Sequence, residues 1–472
     1  MKYVGNVQSQ ANSEVYATAS GALPDGKPVI VNSDGTVSVV TGVAEGFGTA
    51  VTIGSGTFTG ATFDSNSNRV VIVYRDGSST YGTAIVGTVD PSDKSISFGT
   101  AVVYESANSN YNAITFDSNS NKVVIAYQDV GNTGRTTAIV GTVDPSDNSI
   151  SFGTAVVVSS TVHVNWITAT FDSNSNKVVI AHDRYAFVGT VSGTGISFGS
   201  QVDYGAAATS EVVSTFDTNS NKVVLCYTKS GFCKSRVGTV SGTGISFGTE
   251  VYVVPFPASG SNNGITFDSN SNKVVVVTQT TGQLGKAAVG TVSGTGISYG
   301  TAVSVTSVQY AEMNRVVFDS STNKVIVFWK DGSNSYDGTS AVGTVSGTSI
   351  SFSSSTVFAD AAGGADHLFA TFDSNSNKAV VAYVNSGFKA SVFGFESTDL
   401  TSENFVGITN AAYATGQTAT IQAGGAVNTG QSSLTAGQQY FVQIDGTLGL
   451  TAADPSVIAG TAVSATDLIV KG

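Results

Sequence analysis

Seven turns of this chain place side-chain oxygens at alternate positions, the arrangement by which calcium loops supply ligands from positions 1, 3 and 5. Asp64, Asp117, Asp172, Asp217, Asp268, Asp319 and Asp373 each open an Asp-x-Asn-x-Asn stretch, with a Ser-Thr variation in the sixth copy. The rest of a calcium loop is missing. Asp64, Asn66 and Asn68 are followed by Arg69 where a glycine is needed, and Ile72 occupies the ninth position. Each turn therefore offers one formal negative charge beside a cation, a site of at best millimolar affinity. Hairpin turns in which Asp and Asn side chains bond nearby backbone amides fit the pattern better, so no metal and no other cofactor is expected.

Recognition chemistry needs aromatics, arginines and histidines on loops over a rigid scaffold. Here they are Arg75, Tyr111, Arg135, His163, Trp166, His182, Arg184, Tyr185, Met313, Trp329 and His367. Bland placements compete with that role. Trp329 takes the place of Tyr74 in a repeat and can simply pack, lone histidines usually end strands, and Trp166 precedes an inner strand from which it can line a channel. Catalytic patterns are sparse. There is no His-Glu-x-x-His, P-loop or Gly-x-Ser-x-Gly, and the sialidase turn Ser-x-Asp-x-Gly-x-Thr-Trp is absent. Arg135, Arg184 and Arg315 can converge on a carboxylate only as any three arginines on one face can. The chain is expected not to be an enzyme.

The elements that position these residues follow from a repeat. FDSNSNKVVIAY at Phe116 returns in variants at Phe63, Phe171, Phe216, Phe267, Phe318 and Phe372, its aspartates 45 to 55 residues apart. An internal period of roughly 40–50 residues with four strands per period points to a β-propeller, and this spacing is close to it. The four strands are the one ending in Phe-Asp, the KVVIAY run, AIVGTV and ISFGTAV. The KVVIAY run is continuously apolar, as a strand covered on both faces must be. ISFGTAV-type strands follow only six of the seven Phe-Asp copies. The missing one stands before the first blade, as GFGTAVTIG from Gly46. The expected fold is an all-β, seven-bladed β-propeller of four-stranded blades, residues 46–395, whose N-terminal strand closes the last blade. Residues 1–45 and 396–472 alternate polar and apolar positions between glycine turns and are expected to form one small β-barrel-like domain from both chain ends, into which the propeller is inserted.

In this scheme the first-to-second and third-to-fourth turns share one face, and that face is monotonous. The opposite face carries varied connections such as YESANSNYN, SSTVHVNW and DAAGGADH, together with the aromatic, arginine and histidine set. Cys226 and Cys233 flank a short hairpin where a cross-strand disulfide is geometrically possible. The last repeat has Ala382 and Lys389 at the same places, so the hairpin forms without them.

Composition narrows the partners. Only 11% of the 472 residues are charged, with a net charge of −12 and a pI near 4.6, so no basic stripe is available for nucleic acid. The first twenty residues contain no signal-peptide core and no stretch approaches 18 apolar residues, so neither export nor a membrane is expected. The terminal segments ALPDGKPVIVNSDGTVSVV and NFVGITNAAYATGQTATIQAGG resemble a small β domain of tailed-bacteriophage virion proteins, and the TFDSNSNKVV…ISFGTAV repeats resemble propeller repeats of marine phage structural proteins. The resemblance implies a non-enzymatic virion structural protein, a fibre, spike or capsid decoration, made in the host cytoplasm. Its terminal domain would attach to other virion proteins, and it is expected to be a homo-oligomer. The alternative is a lectin-like adhesin whose varied face binds host-surface glycan, and a third reading, ranked last, is a propeller glycosidase.

Overall fold

The computed structural model describes residues 13–43, 45–205, 209–258, 263–282, 284–305, 311–360, 364–395, 397–453 and 455–471. The chain is all-β: among these residues the one helical element is a 3₁₀ turn at Val130–Asn132, and no helix is long and apolar enough to cross a membrane. Two compact units divide it, Met1–Gly46 with Phe395–Gly472, and Phe47–Gly394.

The larger unit is a β-propeller of antiparallel sheets, in which the strands of the first two Phe-Asp copies join into one nine-stranded sheet and each later copy belongs to a five-stranded sheet. In the first copy, Gly56–Asp64 pairs with Arg69–Asp76, which pairs with Tyr81–Val89, which pairs with Ile96–Phe98. The long strand Val102–Asp117 borders the first blade through Val102↔Ala84 and then becomes the inner strand of the second through Ala113↔Ala126. The last blade holds Asp366–Asp373, Lys378–Val384 and Phe388–Gly394, and its outer edge is Val51–Gly54 from the start of the unit, with Val51 opposite Ala390. This pairing closes the ring and leaves neither end of the repeat with an open edge.

The second strand of every blade is buried on both faces because neighbouring blades cover it. Val124, Ile125, Val179, Ile180, Val275 and Val276 are at most 1% exposed. Each such side chain contributes roughly 1.5–3 kcal/mol over its exposed state, so an aspartate at Ile125 would strand a charge between two blades. That strand's last apolar position is Tyr74, Tyr127, His182, Tyr227, Thr278, Trp329 and Tyr383 in successive blades, all buried. In the fourth blade Cys226 and Cys233 are buried free thiols with their sulfurs 3.1 Å apart. Burial, with each other's proximity, pushes the Cys226 thiol well up.

The smaller unit has two five-stranded sheets, each strand two to five residues long. One interleaves the chain ends, with Glu14–Thr18 against Thr418–Gln422 and Pro28–Val31 against Phe405–Thr409. The other is built from Val427–Asn428, Leu468–Val470, Ile458–Ala462, Gln439–Val442 and Leu448–Gly449. Ile30, Ile408, Tyr440, Val442, Leu468 and Val470 form a core shared by both sheets.

Candidate functional site

Each inner strand of the propeller ends in the Phe-Asp turn, and in five of the seven blades a β-bulge lies about five residues before the Phe. Pairing to the second strand skips from Thr57 to Gly60, Asn110 to Ala113, Ser210 to Val213, Glu312 to Arg315 and Asp366 to Phe369. Extra residues in one strand bend it and re-aim a side chain. The re-aimed residues are Phe58, Tyr111, Glu211 and His367, with Trp166 at the same offset in the third blade, and all five hold left-handed backbone, φ 42 to 54. For bulky side chains this conformation is a genuine outlier, costing roughly 1–2 kcal/mol each. Asn262 and the side chain of Met313, at the same offset, lie outside the described residues.

What holds the bulges is the next blade. Asn112, one residue past Tyr111, donates through Nδ2 to the Phe58 carbonyl at 2.9 Å, and Asn263 donates likewise to the Glu211 carbonyl at 3.2 Å. Thr59 donates its hydroxyl to the His367 carbonyl. Three of the five strained carbonyls, those of Phe58, Glu211 and His367, are thus satisfied by a side chain from the following repeat.

The five side chains surround a cavity of about 380 Å³ at the channel mouth. Four of them form a continuous arc. His367 and Phe58 have ring centroids 5.2 Å apart, Phe58 and Tyr111 5.1 Å, and Tyr111 and Trp166 5.2 Å, in tilted and edge-on contacts. Arg75 lies 4.7 Å from the Phe58 ring centroid. Its Nε donates to Thr57 Oγ1 at 3.0 Å and its Nη1 to Asn110 Oδ1 at 2.8 Å, while Asn110 in turn donates to Gln128. Burial, above all, holds the His367 imidazole below its ordinary range; Asp366 opposes this, and Arg75 and Arg315 add to it.

The rest of the wall is polar. Glu211 is 4% exposed, accepts the Asn263 backbone N–H at 2.7 Å through Oε2, and faces Arg315 Nη1 at 3.5 Å through Oε1. Burial raises its carboxyl to about 7, against the Arg315 charge and the Asn263 bond, which pull it down. Arg315 Nη1 also donates to the Asn314 carbonyl at 2.7 Å, its guanidinium lies 5.6 Å from the Phe369 ring centroid, and its buried Nε–H has no acceptor among the described residues. The site thus sets a stacking surface beside a desolvated carboxylate and an under-satisfied guanidinium.

Of the residues expected from the sequence, Tyr111, Trp166 and His367 line this cavity and Arg75 braces its rim. His182 and Trp329 do not reach any ligand face: both are buried at the Tyr74-equivalent position, packed between blades, His182 stacked on Phe187 at 5.4 Å. Arg184 pairs with Asp203 and stacks on Tyr185 at 5.4 Å, Arg135 bonds Asn132, and His163 is exposed on a separate loop. None of these lines the cavity. Phe58, Glu211 and Asn263 were missed. A fixed offset finds them, since the fifth residue before each Phe-Asp reads Phe, Tyr, Trp, Glu, Asn, Met, His. The seven turn aspartates are committed elsewhere. Asp64 accepts the backbone N–H groups of Asn66 at 2.9 Å and Ser67 at 3.1 Å, and its six counterparts do the same. Among the described residues no group of three or more His, Cys, Asp or Glu could hold a metal ion.

No family model and no curated protein matches this chain. Solved structures do. A lectin of Burkholderia pseudomallei, BP39L, aligns with TM-score 0.54 at 13% identity over 75% of this chain and 99% of its own. A periplasmic gluconolactonase of Pseudomonas aeruginosa aligns with TM-score 0.50 at 13% identity over 74% of this chain and 96% of its own. At such identity the likeness is one of fold. It corrects one expectation. A propeller of this fold is an enzyme, so the absence of familiar catalytic motifs is no ground for denying this chain an activity, and Glu211 is a buried carboxylate that belongs to no such motif. Both proteins are bacterial, and neither supports a virion role.

Proposed function

We propose that the protein is a saccharide-binding propeller whose ligand seats in the channel mouth, its ring stacked on the Tyr111–Trp166 end of the aromatic arc and its hydroxyls turned toward Glu211, Asn263 and Arg315. One observation carries this reading. Successive repeats spend backbone strain at one position to hold four aromatic side chains around one cavity, and an unfavourable backbone maintained at equivalent sites points to function. Rings with an apolar face and a polar edge fit such a surface, and the volume suits one or two sugar units. A lectin and a gluconolactonase on the same fold agree with a sugar-like ligand.

The test is binding of the purified protein to a glycan array, followed by calorimetry on the best ligand. Trp166→Ala should weaken binding about 10- to 100-fold, as loss of a stacking anchor does. Arg184→Ala and Ser118→Ala, away from the cavity, should leave it unchanged. Failure of the wild type to bind any saccharide, or equal binding by Trp166→Ala, would sink the reading.

A further inference from the structure

We propose that the channel mouth hydrolyses an ester carbonyl borne by a sugar ring, with Glu211 as general base and Arg315 as the group that receives the oxyanion. This rests on the saccharide-binding reading and assigns that site a reaction. Glu211 and Arg315 both line the cavity that the aromatic arc completes, and Glu211 follows Trp166 in ring order, one blade on. A sugar stacked on Trp166 therefore presents its edge to the Glu211 sector.

The groups present select the reaction. Glycoside hydrolysis canonically needs two carboxylates flanking the bond, and Glu211 is the one acid among the described residues of the cavity wall. The unplaced residues of the same ring, Asn262 and Met313, are not acids. One carboxylate beside one guanidinium suits acyl transfer to water. The Glu211 carboxylate takes a proton from water as the water oxygen bonds to the carbonyl carbon, and the carbonyl π pair moves onto oxygen. That oxyanion meets the positive charge of the Arg315 guanidinium, which lines the same cavity as Glu211 and lies 3.5 Å from it. The tetrahedral adduct then collapses, the C–O bond to the alcohol breaks, and the departing alkoxide takes the proton from Glu211. The products are an acid and an alcohol, joined in one molecule when the ester is a lactone. A carboxyl near 7 is matched to proton transfer at neutral pH.

The experiment follows acid release by pH-stat from aldonolactones and, separately, from O-acetylated sugars, the two arms telling cyclic from acyclic esters. The wild type should hydrolyse members of at least one arm above the uncatalysed rate. Glu211→Gln should lower kcat at least about 100-fold, the range expected for a lost general base. Arg315→Lys should lower kcat about 10- to 100-fold and serves as the second variant should Glu211→Gln fold poorly by circular dichroism. Hydrolysis undiminished in both variants overturns the proposal. A wild type that binds saccharides but releases no acid from either arm overturns it too, leaving the binding reading intact. A wild type that neither binds nor hydrolyses removes both.

Discussion

Each inner strand of the propeller has two ends of opposite character. At the Phe-Asp end the seven aspartates are 1–2% exposed, each accepting two backbone amides, and the turn is copied almost unchanged around the ring. At the bulge end the equivalent residues are Phe, Tyr, Trp, Glu, Asn, Met and His, and the five that are described sit in left-handed backbone. The copied end commits each carboxylate to two backbone amides, although the turn hydroxyls of Ser67, Ser120, Ser175, Ser220, Thr322 and Ser376 find no partner among the described residues, whereas the varied end leaves a carboxylate desolvated beside a guanidinium. One end lowers the free energy of the fold, and the other draws on that surplus to hold reactive groups.

The largest effect should come from Glu211. Its carboxyl is raised in the folded state from 4.5 to about 7, so the folded protein binds the extra proton. Stability from this group is fully present below about pH 4.5 and lost as pH rises through 7, on the order of 3 kcal/mol in total. Burial drives this shift, and the Arg315 charge and the Asn263 backbone N–H oppose it. His367, lowered by burial, contributes a slope of opposite sign. The quantity to measure is therefore the difference between the wild type and Glu211→Gln in denaturant unfolding from pH 4 to 8. A flat difference would mean that the two strand ends do not contrast as described.

Next in size is the copied end. Asp117→Ala strands the Asn119 and Ser120 amides and should cost about 1–3 kcal/mol of stability. Ligand affinity should be unaffected, and a loss of affinity would couple the two ends. Smaller again is the strain at the bulge. Trp166→Gly should be more stable than Trp166→Ala by about 1 kcal/mol, because glycine tolerates the left-handed backbone, although glycine normally weakens a strand. Equal melting of the two variants would mean that no strain is stored there. The smallest effect is at Asn121, also left-handed at φ 55, where Asn→Gly should alter stability by less than about 0.5 kcal/mol because asparagine already tolerates that conformation.

Much of the fold is written at a level a reader of sequence can reach. The Phe-Asp period, the doubly apolar second strand and the displaced GFGTAVTIG each state a local rule that agrees with the whole. The site is harder to read. Strand alternation assumes two residues per repeat, and a bulge breaks that count; the glycine that closes the first bulge, Gly60, is Ala113, Val213, Arg315 and Phe369 at the others, so no shared residue marks the feature. His182 and Trp329 misled for the converse reason. Their position looks like a strand end beside a loop, yet adjacent blades cover it, and only inter-blade packing makes it interior. Glu211 carries no motif because its chemistry arises from burial, which three separate repeats create together.

The strand that closes the ring sets a clock on biosynthesis. Gly54 finds its partner in Phe388, some 330 residues later, so at about 5–20 residues per second it waits on the order of tens of seconds after leaving the ribosome. Six blades can pair within themselves as they emerge, while the Val51–Gly54 edge stays open to any neighbouring nascent chain. Yield in a crowded cell should therefore depend on translation speed and temperature more than on equilibrium stability, since the hazard is an interval of exposure, ended only when the seventh blade arrives.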